Sequence, residues 1–234
     1  MGTAGLSTDT HFAAFSSDAP LRRDVVTRAV RIAAVLFIVA TASTMAGQMI
    51  MEQVSDTATG FATQPDLVAL AVVFEIANGL ASAGIALAFY PVLRRVSELT
   101  ATGYLGLRIV EGALGIAAAA GLMMITALEP GPSAWAMDYH DATFLLVLIV
   151  FSCGTFCFYP ALLKYRLVPR LLSVWGLLGG LLLLVSCLLI LFGRIESGGT
   201  PDLILSLPIW INEMVLAVWL LARGLDLSSA QLSP

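Results

Sequence analysis

Three glutamates and one arginine stand inside stretches that are otherwise apolar, and their spacing limits the chemistry they can do. Glu75, Asn78 and Ser82 fall at i, i+3 and i+7, and Tyr104, Arg108, Glu111 and Gly115 at i, i+4, i+7 and i+11. Each set therefore runs along one face of a helix. Asn212 and Glu213 place an amide and a carboxylate in a third apolar stretch, and milder polar stripes occur at Thr41, Thr44 and Gln48 and at Ser152, Thr155 and Tyr159. An ionisable side chain near the centre of a bilayer costs about 2.5 to 3.5 kcal/mol on insertion scales, so each must face protein or water and find a partner. Arg108 and Glu111, one turn apart, can pair with each other. One arginine cannot neutralise three glutamates, and full ionisation leaves two negative charges to be met by protonation, by a bound cation or by the ammonium of a ligand.

Other reactive side chains form no comparable group. Asp138, Tyr139, His140 and Asp141 cluster just before a later apolar stretch. They are expected to start a helix, with aspartates near the positive end of its dipole, since further metal ligands are missing. Cys153 and Cys157 share a helical face, and Cys187 lies among leucines; all three read as small packing residues. No nucleophile motif, HExxH or phosphate-binding glycine loop is present. An enzyme site would require Glu75 to meet the Asp138–Asp141 segment at the membrane boundary. No cofactor and no metal site is expected.

The elements that carry these residues follow from composition. The chain has 234 residues, 59% hydrophobic and only 12% charged, with a mean hydropathy of +0.91. Soluble domains carry roughly 25% charged residues. With too few polar groups to cover a water-facing surface, the chain needs lipid as its solvent. The net charge of −4 comes without a basic block, which argues against nucleic acid as a partner. Crossing the hydrocarbon core as a helix takes about 20 apolar residues, and six stretches qualify: 30–51, 67–91, 103–127, 142–163, 171–193 and 203–222. The expected fold is an all-α, polytopic membrane bundle of six transmembrane helices over 21–225, with a disordered tail at 1–20 and a short tail at 226–234. Polar, turn-rich connections are expected at 52–66 and 129–141, and short hairpin joints at 92–102 and 164–170. Each joint follows a copy of the pattern Phe-Tyr-Pro-x-Leu, at Phe89–Leu93 and Phe158–Leu162, compatible with an old hairpin duplication. The fifth stretch lacks a polar stripe and is expected to be the most lipid-exposed. Pro208, five residues before Glu213, is positioned to kink or break the sixth.

Basic residues orient the bundle, because Lys and Arg are enriched in cytoplasmic loops. Arg22, Arg23, Arg28, Arg31, Arg94, Arg95, Lys164, Arg166, Arg170 and Arg223, ten of the twelve Lys and Arg, fall on one side, whereas Arg194 alone falls on the other. Both termini are thus expected in the cytoplasm. Arg22 and Arg23 followed by an apolar run imitate an export signal, but that run continues to Met51, as an anchor does.

The residues Phe89-Tyr90-Pro91, Gly103 to Arg108 with Glu111, Leu167 to Gly176, and Asn212 to Leu216 together resemble the bacterial membrane family known as Domain of Unknown Function 4386. The resemblance runs over about residues 25–225. It implies a multi-pass protein of the bacterial plasma (inner) membrane with six or so helices, and carries no activity across. Three readings of the polar residues Glu75, Asn78, Arg108, Glu111, Asn212 and Glu213 follow. They line a cavity that binds or passes a proton, a cation or a small polar solute; they fix helix packing in a structural or partner-binding subunit; or they serve an enzyme acting on a lipid-like substrate. The first requires the ionisable side chains to converge on a cavity.

Overall fold

The computed structural model describes residues 23–55, 64–127 and 134–226. The tail at 1–20, most of the connection expected at 52–66, the first part of that at 129–141 and the end of the C-terminal tail lie outside the described residues. Six helices follow one another: α1 (Arg23–Ser55), α2 (Pro65–Val96), α3 (Glu98–Ala127), α4 (Ala134–Lys164), α5 (Arg170–Leu191) and α6 (Thr200–Ala222). All six are long and apolar enough to cross a membrane, and the described residues contain no strand. The chain is a multi-pass integral membrane protein. With 33 residues, α1 is about 50 Å long at 1.5 Å per residue, against about 30 Å of hydrocarbon. The surplus is long enough for Arg28 and Arg31 to stand outside the apolar layer.

Each helix packs on its neighbours in sequence, and α1 closes onto α6. No pair of helices across this ring packs extensively among the described residues. The polar stripes of α2, α3 and α4 face the axis of the ring, because its outer face meets lipid and its seams are filled by small residues; α1 turns Thr41 and Thr44 inward, whereas Gln48, expected to share their face, is exposed. At the seam of α2 and α3 backbone meets backbone: a Cβ on Gly79 would lie 2.7 Å from the carbonyl oxygen of Gly112 and one on Gly112 would run into that of Gly79. Gly176 and Gly180 of α5 lie against Tyr159 and Thr155 of α4, so α5 turns its glycine face inward and its leucines outward.

The expectation that α5 is the most lipid-exposed helix is corrected by α6. Only 28% of the most apolar stretch of α6 is buried within the protein, against 33% for α5. Its outer face presents Leu203, Ile204, Leu207, Ile211 and Val218. Serines among the leucines of α5 misled the comparison: Ser173 and Ser186 are fully buried, and Ser186 donates to Asp202 at 2.7 Å. Nor does Pro208 break α6, which runs unbroken through it.

Joints between helices are short at one end of the ring. A single residue, Ser97, separates α2 from α3; its hydroxyl accepts the amide of Thr100 at 3.2 Å, capping α3 in the way serine caps helices generally. Tyr165 donates to the carbonyl of Val96 at 3.3 Å, tying the two hairpin joints together. Up-and-down order puts Arg94, Arg95, Lys164, Arg166, Arg170 and Arg223 at this end and Glu52, Asp66, Asp141, Glu196 and Asp202 at the other. We refer to them as the basic and the acidic end.

Toward the basic end the lumen is filled by aromatic rings. Phe158 meets Phe89 at 4.9 Å between centroids, edge to face, and stacks on Tyr104 at 4.8 Å, while Phe37 lies 6.4 Å from both phenylalanines. Phe89 and Phe158 open the two copies of Phe-Tyr-Pro-x-Leu. The repeated motif therefore supplies two opposing helices of one buried aromatic layer.

Candidate functional site in the lumen

Above the aromatic layer, toward the acidic end, lies a cavity of about 60 Å³ lined by Thr44, Asn78, Ser82, Arg108, Glu111, Phe144, Phe151, Trp210 and Glu213 among others. A buried water needs roughly 10 to 15 Å³, so the space suits a few waters or one small solute.

Arg108 and Glu111, 3% and 4% exposed, pair across one turn of α3. The arginine's Nη1 lies 3.1 and 3.0 Å from the two carboxylate oxygens, and its Nε donates to the carbonyl of Ser82 at 3.4 Å. Rings of Tyr104 and Phe151 flank the guanidinium at 5.9 and 5.3 Å. Ser82 in turn donates to Glu111 at 2.7 Å. Asn78, one turn away on α2, donates to the hydroxyl of Thr44, which donates to the carbonyl of Ala40 at 3.1 Å. Side chains of α1, α2 and α3 are thereby joined into one chain of hydrogen bonds in which the buried charges have partners.

Glu213 lines the same cavity from α6, but its carboxylate makes no hydrogen bond or ion pair among the described residues. Arg108, the nearest positive group on the lumen wall, is already engaged by Glu111.

Asn212, grouped with these residues by sequence, points elsewhere. It accepts from the hydroxyl of Tyr159 at 2.7 Å and donates to the carbonyl of Leu172 at 3.0 Å, pinning α6 to α4 and α5. Asn212→Ala leaves a buried hydroxyl and carbonyl without these partners and is expected to cost about 1 to 3 kcal/mol. Denaturant unfolding in detergent checks this; a loss of only a few tenths would mean the two groups find other partners.

The Asp138–Asp141 segment is corrected by the structure. It does not begin a helix: α4 starts at Ala134, and His140, 4% exposed, lies inside the ring with Nε2 2.6 Å from Glu75 Oε1 and Nδ1 2.9 Å from Asp141 Oδ1. Glu75 thus has a basic partner that counting arginines overlooked. The signal was available, because His140, Phe144, Val147, Phe151 and Thr155 continue the α4 stripe at helical spacing. Glu75 also lines a smaller cavity of about 20 Å³, shared with Asn78, Ser82, Glu111 and Phe144, that adjoins the larger one. Arg108, Glu111, Glu213 and Asn78 thus line the larger cavity and Glu75 the smaller, Asn212 faces α4 and α5, and His140, which the sequence reading held only as part of the Asp138–Asp141 segment, meets Glu75 as the enzyme reading required. Among the described residues no three His, Cys, Asp or Glu side chains converge as metal ligands.

No curated protein and no solved structure matches the chain significantly. A family profile does match, over residues 32–224, from the third turn of α1 to just past the end of α6. The match takes in all six helices and every lumen residue named above, and the chain accordingly belongs to the family described as Domain of unknown function (DUF4386).

Proposed function

We propose that the protein is a membrane binding or transport protein whose central cavity takes a small cation, with Glu213 as its counter-charge. One observation carries the reading: Glu213 is the lumen carboxylate without a hydrogen-bonding or ionic partner among the described residues, and it faces a space large enough for a ligand. Glu111 is paired with Arg108 and Ser82, and one oxygen of Glu75 with His140, so Glu213 is the lumen carboxylate of which neither oxygen is tied to a partner. Phe144, Phe151 and Trp210 on the cavity wall suit an organic ammonium, since aromatic faces attract cations. In this reading the Arg108–Glu111–Ser82–Asn78 chain holds the helices in register around the site, and the aromatic layer of Phe37, Phe89, Tyr104 and Phe158 separates the site from the basic end. That end, with both termini, faces the cytoplasm of a bacterial plasma (inner) membrane, in keeping with the excess of Lys and Arg there.

Thermal unfolding of the purified protein tests the reading. Sodium, methylammonium and choline chlorides are compared at equal ionic strength with potassium chloride and with a neutral solute. A cation present at a hundred times its Kd stabilises by about 2.7 kcal/mol, a rise of several degrees in Tm, and Glu213→Gln should abolish that rise. Stabilisation that persists unchanged in E213Q, or no cation exceeding the potassium and neutral references, overturns the assignment.

A further inference from the structure

From the unpartnered oxygen of Glu75 we infer that Asp141, His140 and Glu75 form a proton path from the surface of the acidic end into the lumen. The three groups make a continuous line. Asp141 is 66% exposed, whereas the His140 and Glu75 side chains are 5% and 12% exposed. The imidazole bridges them with one nitrogen on each carboxylate, at 2.9 and 2.6 Å. Beyond the histidine, Glu75 Oε2 is buried and has no hydrogen-bond partner, and Glu75 lines the cavity of about 20 Å³ that reaches Glu111. Buried polar atoms in native proteins are almost always satisfied, and that cavity has room for one water, which would connect Oε2 to the polar groups on its far side.

The geometry has the form of a shuttle. A proton collected at Asp141 is taken up at Nδ1 of His140, and the proton already on Nε2 passes to Glu75 Oε1. Glu75, ionised at the start, holds that proton until its carboxyl group turns toward the cavity, then gives it to the cavity water and is ionised again, and the imidazole returns to its first tautomer by ring rotation. One proton enters and one leaves, with no change in net charge. Histidine is suited to this because both ring nitrogens exchange protons and its charge changes near neutral pH. A purely structural pin between α2 and α4 would need one of the two hydrogen bonds and would leave no carboxylate oxygen unsatisfied.

The charged groups acting on the path are few. His140 faces Glu75 from α2 and Asp141 from its own helix, while α3 meets it with Gly121. Glu75 faces His140 from α4 and, across the small cavity, Glu111 from α3. The ring of Phe144 stacks on that of His140, 6.0 Å between centroids, and lines both cavities.

Carboxyl infrared spectroscopy after a rapid pH step tests the path in the full-length protein. A protonated-carboxyl band that disappears in Glu75→Gln is expected to follow the step in the wild type. In His140→Gln, which keeps a hydrogen bond to Glu75 but cannot relay a proton, the same band should respond about a hundredfold more slowly, the size of a typical positioned acid-base contribution. Asp141→Asn should slow it only severalfold, because water can deliver protons to an imidazole at the surface. A Glu75 band that responds as fast in H140Q as in the wild type overturns the path, and so does the absence of any pH-responsive band lost in E75Q. Cation-induced stabilisation measured on H140Q separates this inference from the Glu213 site. If the path fails and the cation site is sound, the Tm rise is retained while the infrared response is unaltered; if the site fails alone, the infrared result stands without any Tm rise.

Discussion

Arg108→Met is expected to lower the stability of the bundle by about 3 to 5 kcal/mol, the cost of leaving one member of a buried ion pair without the other. Glu111 is 4% exposed, and Arg108 supplies two of its three hydrogen bonds, at 3.0 and 3.1 Å, the third coming from Ser82. Without the guanidinium the carboxylate must either remain charged in a low-dielectric lumen or take up a proton, and either outcome weakens the fold at neutral pH. The double variant R108M/E111L should regain most of the loss, because replacing both members of a buried pair with apolar groups of similar size is often close to neutral. Ser82 then retains Asn78, whose Oδ1 lies 3.4 Å from its hydroxyl. Reversible denaturant titration in detergent measures both. A single variant within about 1 kcal/mol of the wild type, the range of exposed ion pairs, would show that the lumen is wet enough to solvate Glu111 alone.

The second large effect concerns the seam between α2 and α3. Gly112→Ala puts a methyl group into the carbonyl oxygen of Gly79. Backbone cannot rotate out of the way, so the helices must separate. Overpacking of this kind costs about 1 to 3 kcal/mol, which exceeds the roughly 1 kcal/mol that alanine gains over glycine in a helix. Gly115→Ala, one turn along the same face, should have the opposite sign. Its added methyl would meet only the Cα of Gly79, at 3.9 Å, an ordinary contact, so the propensity gain remains. Gly79→Ala strikes the same seam as G112A, at 2.7 Å from the Gly112 carbonyl, and the pair should cost less than the sum of the singles, since one separation accommodates both methyls. Equal effects of G112A and G115A would contradict the close approach of the two backbones.

How much of this was legible beforehand depended on whether the signal was local. Apolar runs long enough to cross a bilayer are contiguous in sequence, so the six helices and the side of the ring on which the basic residues collect could be read directly. The Arg108–Glu111 pair was equally legible, because residues three apart on a helix are neighbours whatever surrounds them. Helical spacing also put Glu75, Asn78 and Ser82 on one face of α2, and they share that face in the ring.

Spacing can show which face of a helix a residue occupies, as it does for His140, but not which residue of another helix it meets. Glu75 and His140 are 65 positions apart, and only the way α2 and the start of α4 face each other across the lumen decides that the glutamate meets an imidazole rather than Arg108. Asn212 and Glu213 are adjacent in sequence, yet the turn of about 100° between consecutive residues in a helix sends one to Tyr159 and Leu172 and the other to the lumen. The sequence by itself determined a six-helix membrane protein with more buried acid than arginine, since hydropathy and composition are properties of the chain. Which carboxylate is left over was decided by tertiary structure alone, because compensation of a buried charge depends on the few ångströms around it.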